Sequence, residues 1–245
     1  MSVTSNTGRQ KMDKMNAPIG IIGAMEDEVK GLVARLDGPS SEEISGIKFY
    51  TGTIYGKPVV IAKCGVGKVF ASICTTAMIL RYSPSAVINT GVAGGLDKSL
   101  KCADTVIATS LAQHDMDTSP LGDPVGLISG INKIFFDADK RITELLSESA
   151  DELGIRHSEG LIVTGDKFVA GGEERDRILS LFPALACEME GGAVAHAAYV
   201  HGVPFAVVRA ISDGADSESV LDYPAFLKIA VKNSEALTLS LIKKY

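Results

Sequence analysis

The sequence predicts an α/β domain built around a mixed, largely parallel sheet. Short β-branched or apolar runs alternate along the chain with longer segments whose apolar residues recur at helical spacing. Strands that alternate with helices in this way form parallel sheets covered by helices. Residues 51–55, followed by Gly56, Lys57 and Pro58, predict a hairpin. The hairpin adds an antiparallel part, so we expect a mixed sheet.

The predicted elements follow one another in a regular order, each with its own pattern. Apolar runs typical of buried strands occupy residues 19–22, 59–62, 86–89, 105–108, 161–163 and 205–208. Helical spacing of apolar residues predicts helices at residues 26–36, 69–81, 140–153, 189–200 and 223–244. Residues 122–130, with Pro120 and Pro124 nearby, predict a long surface loop.

Composition limits the class of protein. The chain has 245 residues, of which 46% are hydrophobic, enough for one large core. The net charge is −6 and no Lys/Arg cluster stands out, which argues against a nucleic-acid surface. No apolar run reaches membrane-spanning length, and residues 1–17 lack the apolar segment of a signal peptide. We therefore expect a cytoplasmic protein with a disordered extension at residues 1–17 and a single domain at residues 18–245.

The cysteines and histidines offer no metal site. Cys64, Cys74, Cys102 and Cys187 form no C-x-x-C pair, and three of them have apolar neighbours in the sequence. Buried thiols in a reducing compartment explain this pattern best, with disulfides as the alternative. The four histidines lack ligand spacing. We expect no metal.

Glycine-rich turns do not match the known phosphate-binding patterns. Residues 19–24 lack the G-x-G-x-x-G spacing of dinucleotide sites. Residues 64–68 resemble the end of a P-loop, but Ala62 replaces its first glycine and Val69 its Ser/Thr. We interpret these segments as tight turns, and Lys68 as a charge at the start of a helix.

Acidic residues recur just after the predicted strands. Ligands of open α/β sheets bind beyond the carboxyl ends of the strands, so side chains there should converge. The segments in question are residues 26–28, 92–94, 166–168 and 212–213, with residues 188–190 at the start of a helix. Their candidate carboxylates are Glu28, Glu188, Glu190 and Asp213.

Together, these carboxylates favour a site for breaking a glycosidic bond. Each one alone is more typical of a surface charge or a helix cap. In glycosidic cleavage one carboxylic acid protonates the leaving group, and one carboxylate activates water. Nearby negative charge also stabilises a sugar-like transition state that carries positive charge.

Four motifs, in the right order, resemble the 5′-methylthioadenosine/S-adenosylhomocysteine nucleosidases of the nucleoside phosphorylase superfamily. They are IGIIGAMEDEV at residues 19–29, NTGVAGGL at 89–96, EME at 188–190 and VRAISD at 208–213. The resemblance covers residues 18–245. It implies a nucleoside phosphorylase-like, three-layer α/β/α fold with a central mixed sheet, a homodimer, a small-molecule nucleoside as substrate, and no cofactor.

The resemblance also implies catalytic roles. Asp213 would protonate adenine at N7, and Ser212 would help to hold Asp213. Glu28 would position and activate the attacking water. Arg209 would support the ribose side of the site.

The remaining roles that the resemblance implies concern substrate binding. Glu190 would accept hydrogen bonds from the ribose hydroxyls, with Met189 under the sugar. Phe168 would stack on adenine and the backbone of Val169 would read its edge. The residues expected to border the ribose and the 5′-thio group are Met25, Val66 and Tyr223, and Ala93 and Gly94 are expected in the same site.

Three positions leave the binding roles open. Glu188 fits a site role and an ordinary structural role equally well. Val92 stands where many members of the family have serine, and Gln113 where an aromatic residue of the neighbouring subunit is often found. Both differences bear on the 5′ group of the substrate.

The expected reaction is hydrolysis of 5′-methylthioadenosine and S-adenosylhomocysteine, which releases adenine. A phosphate pocket would need Arg, Lys or backbone donors, whereas residues 25–28 supply carboxylates, which repel phosphate. A phosphorylase remains the nearest alternative. 5′-Deoxyadenosine and aminodeoxyfutalosine remain candidate substrates. A non-catalytic nucleoside-binding protein is the alternative from another class, although binding alone needs neither Asp213 nor Glu28.

Overall fold

A mixed sheet of ten strands, covered by helices on both faces, forms the framework of the protein. The computed structural model describes residues 17–213 and 223–245, with only the backbone for Asp213 and residues 223–227. Residues 1–16 of the predicted extension lie outside the described residues. The observed layers confirm the predicted three-layer α/β/α fold.

The observed elements include every predicted strand and helix. The strands are β1 (Ile19–Gly23), β2 (Asp37–Ile44), β3 (Ile47–Ile54), β4 (Lys57–Lys63), β5 (Ala86–Gly95), β6 (Thr105–Gln113), β7 (Phe136–Asp137), β8 (His157–Thr164), β9 (Ala184–Glu188) and β10 (Phe205–Asp213). The helices are α1 (Glu26–Val33), α2 (Lys68–Tyr82), α3 (Lys140–Leu153), α4 (Gly172–Leu181), α5 (Gly191–His201) and α6 (Tyr223–Lys244), with a short 3-10 turn at Ser119–Leu121.

Two predicted helix boundaries were wrong by more than one residue. The first helix ends at Val33, three residues earlier than predicted, because the chain then turns into β2. The helix predicted from residue 189 begins at Gly191. Glu188 instead ends β9, and Glu190 occupies the N-cap position of α5.

The sequence did not predict four of these strands and helices, namely β2, β7, β9 and α4, and β7 has only two residues. β2 is an almost fully exposed edge strand rich in Ser and Glu, so it shows no apolar run. It pairs with β3 as one half of a hairpin, and β3 continues into β4 through the turn at Tyr55 and Gly56. β9 has only five residues, and α4 buries only Ile178, so neither carries a strong periodic signal.

The sheet closes on itself along part of its length. β5 pairs in parallel with β1 and β10, and its last two residues pair with β9. β10 continues to β6, β6 to β8 and β8 to β9, which returns to β5. Five strands therefore surround a closed region, while β1, β4, β3 and β2 extend from it as an open sheet.

Strand alternation divides the core between the two faces of the sheet. Ile19 and Ile21 pack on the face covered by α1, α3 and α6, and Ile22 packs on the face covered by α2 and α5. Gly20 also points to the second face, where an added Cβ would lie 2.5 Å from Met78 Sδ. A glycine there lets α2 approach β1 closely. Within the described ranges, none of the helices combines the length and apolarity needed to cross a membrane.

Candidate functional site

A cavity of about 160 Å³ opens where the closed region meets the ends of several strands. Its walls come from the segments after β1, β4, β8 and β9 and from the C-terminal parts of β5, β9 and β10 themselves. The predicted site residues in the lining are Met25, Glu28, Val66, Val92, Ala93, Gly94, Phe168, Val169, Glu188, Met189, Glu190 and Ser212.

The predicted segments converge, but not at one edge of a parallel sheet. β6, β8 and β9 run parallel to one another, whereas β6 is antiparallel to β10 and β9 is antiparallel to β5. In a flat sheet, the ends of β8 and β5 would face opposite ways. Because the sheet closes on itself, Cys187 of β9 pairs with Gly94 of β5. This pairing brings Glu188 beside the end of β5.

Glu28 lies in the first turn of α1 and faces the cavity. One carboxylate oxygen, Oε2, accepts hydrogen bonds from the backbone N–H groups of Ala24 and Met25 at 2.7 and 2.9 Å. The other oxygen, Oε1, accepts one from Val92 at 3.1 Å. Burial raises the pKa of Glu28, while the charge of Arg209 and these three donors oppose the rise.

The approach of Glu28 to β5 requires a glycine at position 91. A Cβ added there would lie 2.5 Å from Glu28 Oε1. Only a residue without a side chain lets the carboxylate reach the N–H of Val92. The NTGVAGGL motif therefore supplies cavity residues and also the glycine that Glu28 needs in order to pack against β5.

Glu188, in the cavity wall, forms an ion pair with Arg209, which lies behind the wall. Their closest atoms, Oε2 and Nη2, are 2.5 Å apart, and both side chains are 2% exposed. Burial disfavours the charged form of Arg209, but the charges of Glu188, Glu190 and Glu28 outweigh it and raise its pKa. Asn89 supports the guanidinium, with its backbone oxygen accepting from Nη1 at 3.2 Å.

Glu188 also organises the start of α5. Its Oε2 accepts from the backbone N–H groups of Glu190 and Gly191 at 3.1 and 2.6 Å, and its Oε1 accepts from the Thr164 hydroxyl. These contacts use both oxygens of Glu188. Arg209 is 1% exposed and lies behind the lining rather than in it.

Glu190 lines the cavity together with Glu28 and Glu188. It is 6% exposed, and its Oε1 accepts a hydrogen bond from the Gly67 backbone N–H at 2.8 Å. Burial, followed by the charge of Glu188, raises the pKa of Glu190 to about 7, although Arg209 and Gly67 act in the opposite direction. Its charge therefore changes near neutral pH.

The outer part of the cavity is apolar. Phe168 is 64% exposed and Val66 is 53% exposed, which is unusual for large apolar side chains unless they meet a ligand or a partner. Met25, Val169 and Met189 are half-buried in the same wall. A flat aromatic group can lie against this surface while its polar part faces the carboxylates.

β10 brings Ser212 and Asp213 to the cavity. Ser212 is buried, and its hydroxyl donates to the backbone oxygen of Ala93 at 3.4 Å. The backbone of Asp213 pairs with Gly94, a lining residue. The side chains of Asp213 and Tyr223 lie outside the described part of the structure.

The cavity also contains residues that the sequence did not indicate. Ala24, Lys167 and Cys187 line it. Ala24 belongs to the first motif and Cys187 precedes the EME motif, but their residue types suggested no chemistry. Lys167 is adjacent to Phe168, and its ammonium pairs with Glu174 at 3.1 Å. Among the described residues, no three His, Cys, Asp or Glu side chains are arranged to hold a metal ion.

Comparison with known proteins identifies relatives along almost the whole chain. The phosphorylase superfamily model matches residues 18–243. A 5′-methylthioadenosine/S-adenosylhomocysteine nucleosidase of Shewanella oneidensis is 41% identical over 228 residues, which are 92% of this chain and 96% of that protein. Such identity over the whole domain is enough to establish a common family.

Solved structures agree with this relationship. The Neisseria meningitidis nucleosidase of the same description, in complex with methylthio-immucillin-A, matches with a TM-score of 0.89 at 35% identity, covering 94% of this chain and 100% of that one. Futalosine hydrolase of Helicobacter pylori matches with a TM-score of 0.89 at 36% identity, covering 94% and 99%. The chain therefore belongs to the phosphorylase superfamily and, within it, to the family of 5′-methylthioadenosine/S-adenosylhomocysteine nucleosidases.

Proposed function

We propose that this protein hydrolyses the N-glycosidic bond of 5′-methylthioadenosine and S-adenosylhomocysteine, releasing adenine and the 5′-thio-ribose. The observation that carries the proposal is Glu28, a buried carboxylate that faces the cavity with both oxygens held by backbone N–H groups. Such a group is oriented to take a proton from water beside a bound nucleoside. The relationship to nucleosidases of this substrate class supports the same reaction.

In the proposed mechanism, an acid and a base act on opposite sides of the bond. Asp213 protonates N7, so that adenine leaves as a neutral base. Glu28 accepts a proton from the water that attacks the anomeric carbon, and Ser212 helps to hold Asp213. The negative charge of Glu28 also stabilises the positive charge that develops on the ribose. The proposed chemistry uses neither a metal nor an organic cofactor.

The rest of the cavity would bind the substrate. Glu190, as a carboxylate, accepts hydrogen bonds from the ribose hydroxyls, and this contact strengthens as positive charge develops on the sugar. Met189 lies under the sugar. Phe168 stacks on adenine, whose edge the Val169 backbone reads. Met25, Val66 and Tyr223 border the ribose and the 5′-thio group.

Glu188 and Arg209 would act together rather than contact adenine. Arg209 balances the buried carboxylates on the ribose side, and Glu188 fixes Arg209 and the start of α5. Val92, Ala93 and Gly94 supply backbone and small side chains along the wall. Of these, the Val92 N–H keeps Glu28 in place.

The charges of the cavity favour water over phosphate as the nucleophile. Glu28, Glu188 and Glu190 face or border it, whereas Arg209 is already paired with Glu188 and Lys167 with Glu174. A phosphate ion would meet this negative charge without an available cation among the described residues. These contacts support hydrolysis against phosphorolysis.

A second candidate substrate is aminodeoxyfutalosine. The similarity to the futalosine hydrolase of Helicobacter pylori, at 36% identity, supports it as strongly as the similarity to the Neisseria nucleosidase does. Both substrates would use the same acid, base and ribose contacts. They differ at the 5′ side, where Val66 is more than half exposed. 5′-Deoxyadenosine remains a further candidate.

We propose that residues 18–245 form a single domain and that the protein acts in the cytoplasm. Pairing of β5 with both β1 and β10 supports one domain, since it joins the two ends of the chain in one sheet. Buried thiols support a reducing compartment: Cys64 and Cys74 are both buried, and burial raises the pKa of Cys74 to about 12.

The reaction is tested by adenine release in buffer with and without phosphate. Ultraviolet absorbance should show adenine from 5′-methylthioadenosine without phosphate, at an unchanged rate when phosphate is added. Aminodeoxyfutalosine and 5′-deoxyadenosine are assayed in parallel to rank the substrates. A strict need for phosphate would indicate a phosphorylase, and tight binding without adenine release would indicate a binding protein.

Replacement of either proposed catalytic carboxylate should abolish most of the turnover. We expect Glu28→Gln and Asp213→Asn to lower kcat by about 100-fold to 10,000-fold, the usual contribution of a general acid or base. Glu26→Gln is the matched control, because Glu26 lies in the same turn of α1 but is exposed and pairs with Lys63. A kcat within twofold of the parent enzyme would remove that residue from the mechanism.

Substrate binding should depend on pH through Glu190. Because its pKa is raised to about 7, Glu190 is a carboxylate above that pH and loses its charge below it. We expect KM for 5′-methylthioadenosine to rise as the pH falls through about 7, by up to about tenfold per pH unit. In Glu190→Gln this pH dependence of KM should be absent. The same slope in both proteins would assign it to another group.

The raised pKa of Glu190 also predicts how the stability of the protein changes with pH. Between pH 4.5, its usual pKa, and a pH of about 7, a larger fraction of Glu190 is protonated in the folded chain than in the unfolded chain. Its contribution to the free energy of unfolding therefore decreases as the pH rises through this range. Urea titrations of the parent protein and of Glu190→Gln measure this difference.

We propose a homodimer formed through α2. Val69, Phe70, Ile73 and Leu80 are between 41% and 70% exposed and follow helical spacing along one side of α2. A charge introduced there should be costly to bury, so Val69→Asp should shift the protein from dimer to monomer in sedimentation experiments. Leu153→Asp, at an exposed position of α3, is the control. A parent protein that is monomeric at micromolar concentration would contradict the proposal.

A further inference from the structure

The N-terminus of α2 binds two carboxylates that come from different parts of the chain. The Gly67 N–H donates to Glu190 Oε1 at 2.8 Å, and the Lys68 N–H donates to Asp166 Oδ1 at 2.7 Å. Neither Glu190 nor Asp166 belongs to α2, and Gly67 has no side chain that could cap the helix. The start of this helix therefore joins the ribose side of the cavity to the segment that leads to Phe168.

The side chain of Lys68 completes this junction. Its ammonium pairs with Asp115 Oδ1 at 2.6 Å and donates to Gln113 Oε1 at 3.3 Å. The other carboxylate oxygen of Asp115 accepts from the Asp166 N–H at 2.8 Å. Lys68, Asp115 and Asp166 thus form a closed ring of contacts, which we call the Lys68 junction.

The Lys68 junction is partly protected from solvent. The Lys68 and Asp115 side chains are 19% and 27% exposed, less than those of most ion pairs in the described structure. Burial tends to raise the pKa of Asp115, but Lys68 and the Asp166 N–H outweigh it and hold the pKa below its usual value. Asp115 therefore keeps its negative charge near neutral pH.

The backbone at Gly67 makes this arrangement sensitive to position. Gly67 has φ near 100°, a conformation that favours glycine, and an added Cβ would lie 3.1 Å from Asp166 Oδ1. A side chain at position 67 would crowd the Asp166 carboxylate and strain the backbone. A movement of Lys68 or Asp166 would therefore move the N–H that holds Glu190.

We propose that Lys68 is a positioning residue: its ion pair with Asp115 fixes the start of α2, so that Gly67 holds Glu190 in the orientation that receives the ribose hydroxyls. The sequence interpretation of Lys68 as a simple helix-start charge is then incomplete. The inference rests on the proposed nucleoside hydrolysis. It adds a residue that does not line the cavity.

The test compares substrates that differ only in the ribose. Adenine release is measured from 5′-methylthioadenosine and, separately, from its 2′-deoxy and 3′-deoxy forms. The parent enzyme should prefer the full ribose in kcat/KM. Lys68→Met, which keeps the length of the side chain but removes its charge, should reduce that preference by about tenfold, equivalent to about 1.4 kcal/mol of lost discrimination. A general loss of folding would lower all three rates together and leave the preference unchanged.

Two further variants separate positioning from other effects. Lys63→Met removes the cation of an exposed ion pair, that with Glu26 at 3.2 Å, and should leave the ribose preference unchanged. In a Glu190→Gln background, Lys68→Met should cause no further loss of preference, because both changes act through the same carboxylate. Additive effects of the two changes, or equal losses in Lys63→Met and Lys68→Met, would overturn the proposal.

The outcome also separates this inference from the proposed reaction. If the parent protein releases no adenine from any substrate, the proposed function fails, and the same three nucleosides are compared by calorimetric binding. A ribose preference in binding that Lys68→Met reduces would still support the positioning role. Activity of the parent enzyme without any ribose preference would reject the positioning role and leave hydrolysis intact.

Discussion

The site depends on keeping several carboxylates buried in one small region. A buried carboxylate without partners is costly, and three of them repel one another. The guanidinium of Arg209 reduces this cost from behind the cavity, where it pairs with Glu188. Removing Arg209 alone would leave an uncompensated buried charge, which is more damaging than the net stability of the pair suggests. Burial raises the pKa values of Glu28 and Glu190, and the charge of Arg209 limits that rise.

Backbone donors at the starts of helices supply the other half of the stabilisation. Glu28 accepts from residues at the start of α1, Glu188 from the start of α5, and Glu190 from the residue before α2. The first N–H groups of a helix have no partner within it, and the helix dipole favours negative charge there. Three helices therefore begin at the cavity, each with a carboxylate at its N-terminal end. Glu28 and Glu190 are oriented by backbone donors, whereas Glu188 also accepts from the side chains of Thr164 and Arg209.

Much of the fold could be predicted because its buried strands and amphipathic helices leave strong patterns. The predicted helix at residues 140–153 has the observed bounds of α3, where an Asp139 cap and a glycine at position 154 mark both ends. Exposed β2 and the five-residue β9 leave no such pattern. Because β9 was not predicted, Glu188 was assigned to the approach to a helix, although it ends a strand. The error matters, since its strand position directs Glu188 towards Arg209.

The sequence by itself determined the residue types of the site and their order along the chain, because motif residues and strand ends are local features. Which carboxylate pairs with Arg209 was decided by the tertiary structure. Glu188 and Glu190 are two residues apart, yet one pairs with the guanidinium and the other with the Gly67 N–H. The two residues differ because β9 pairs with β5 and because the start of α2 lies against Glu190. These contacts join distant segments of the chain, so no local pattern encodes them. The same reason explains why the ion pair of Lys68 with Asp115 became visible only in the folded chain.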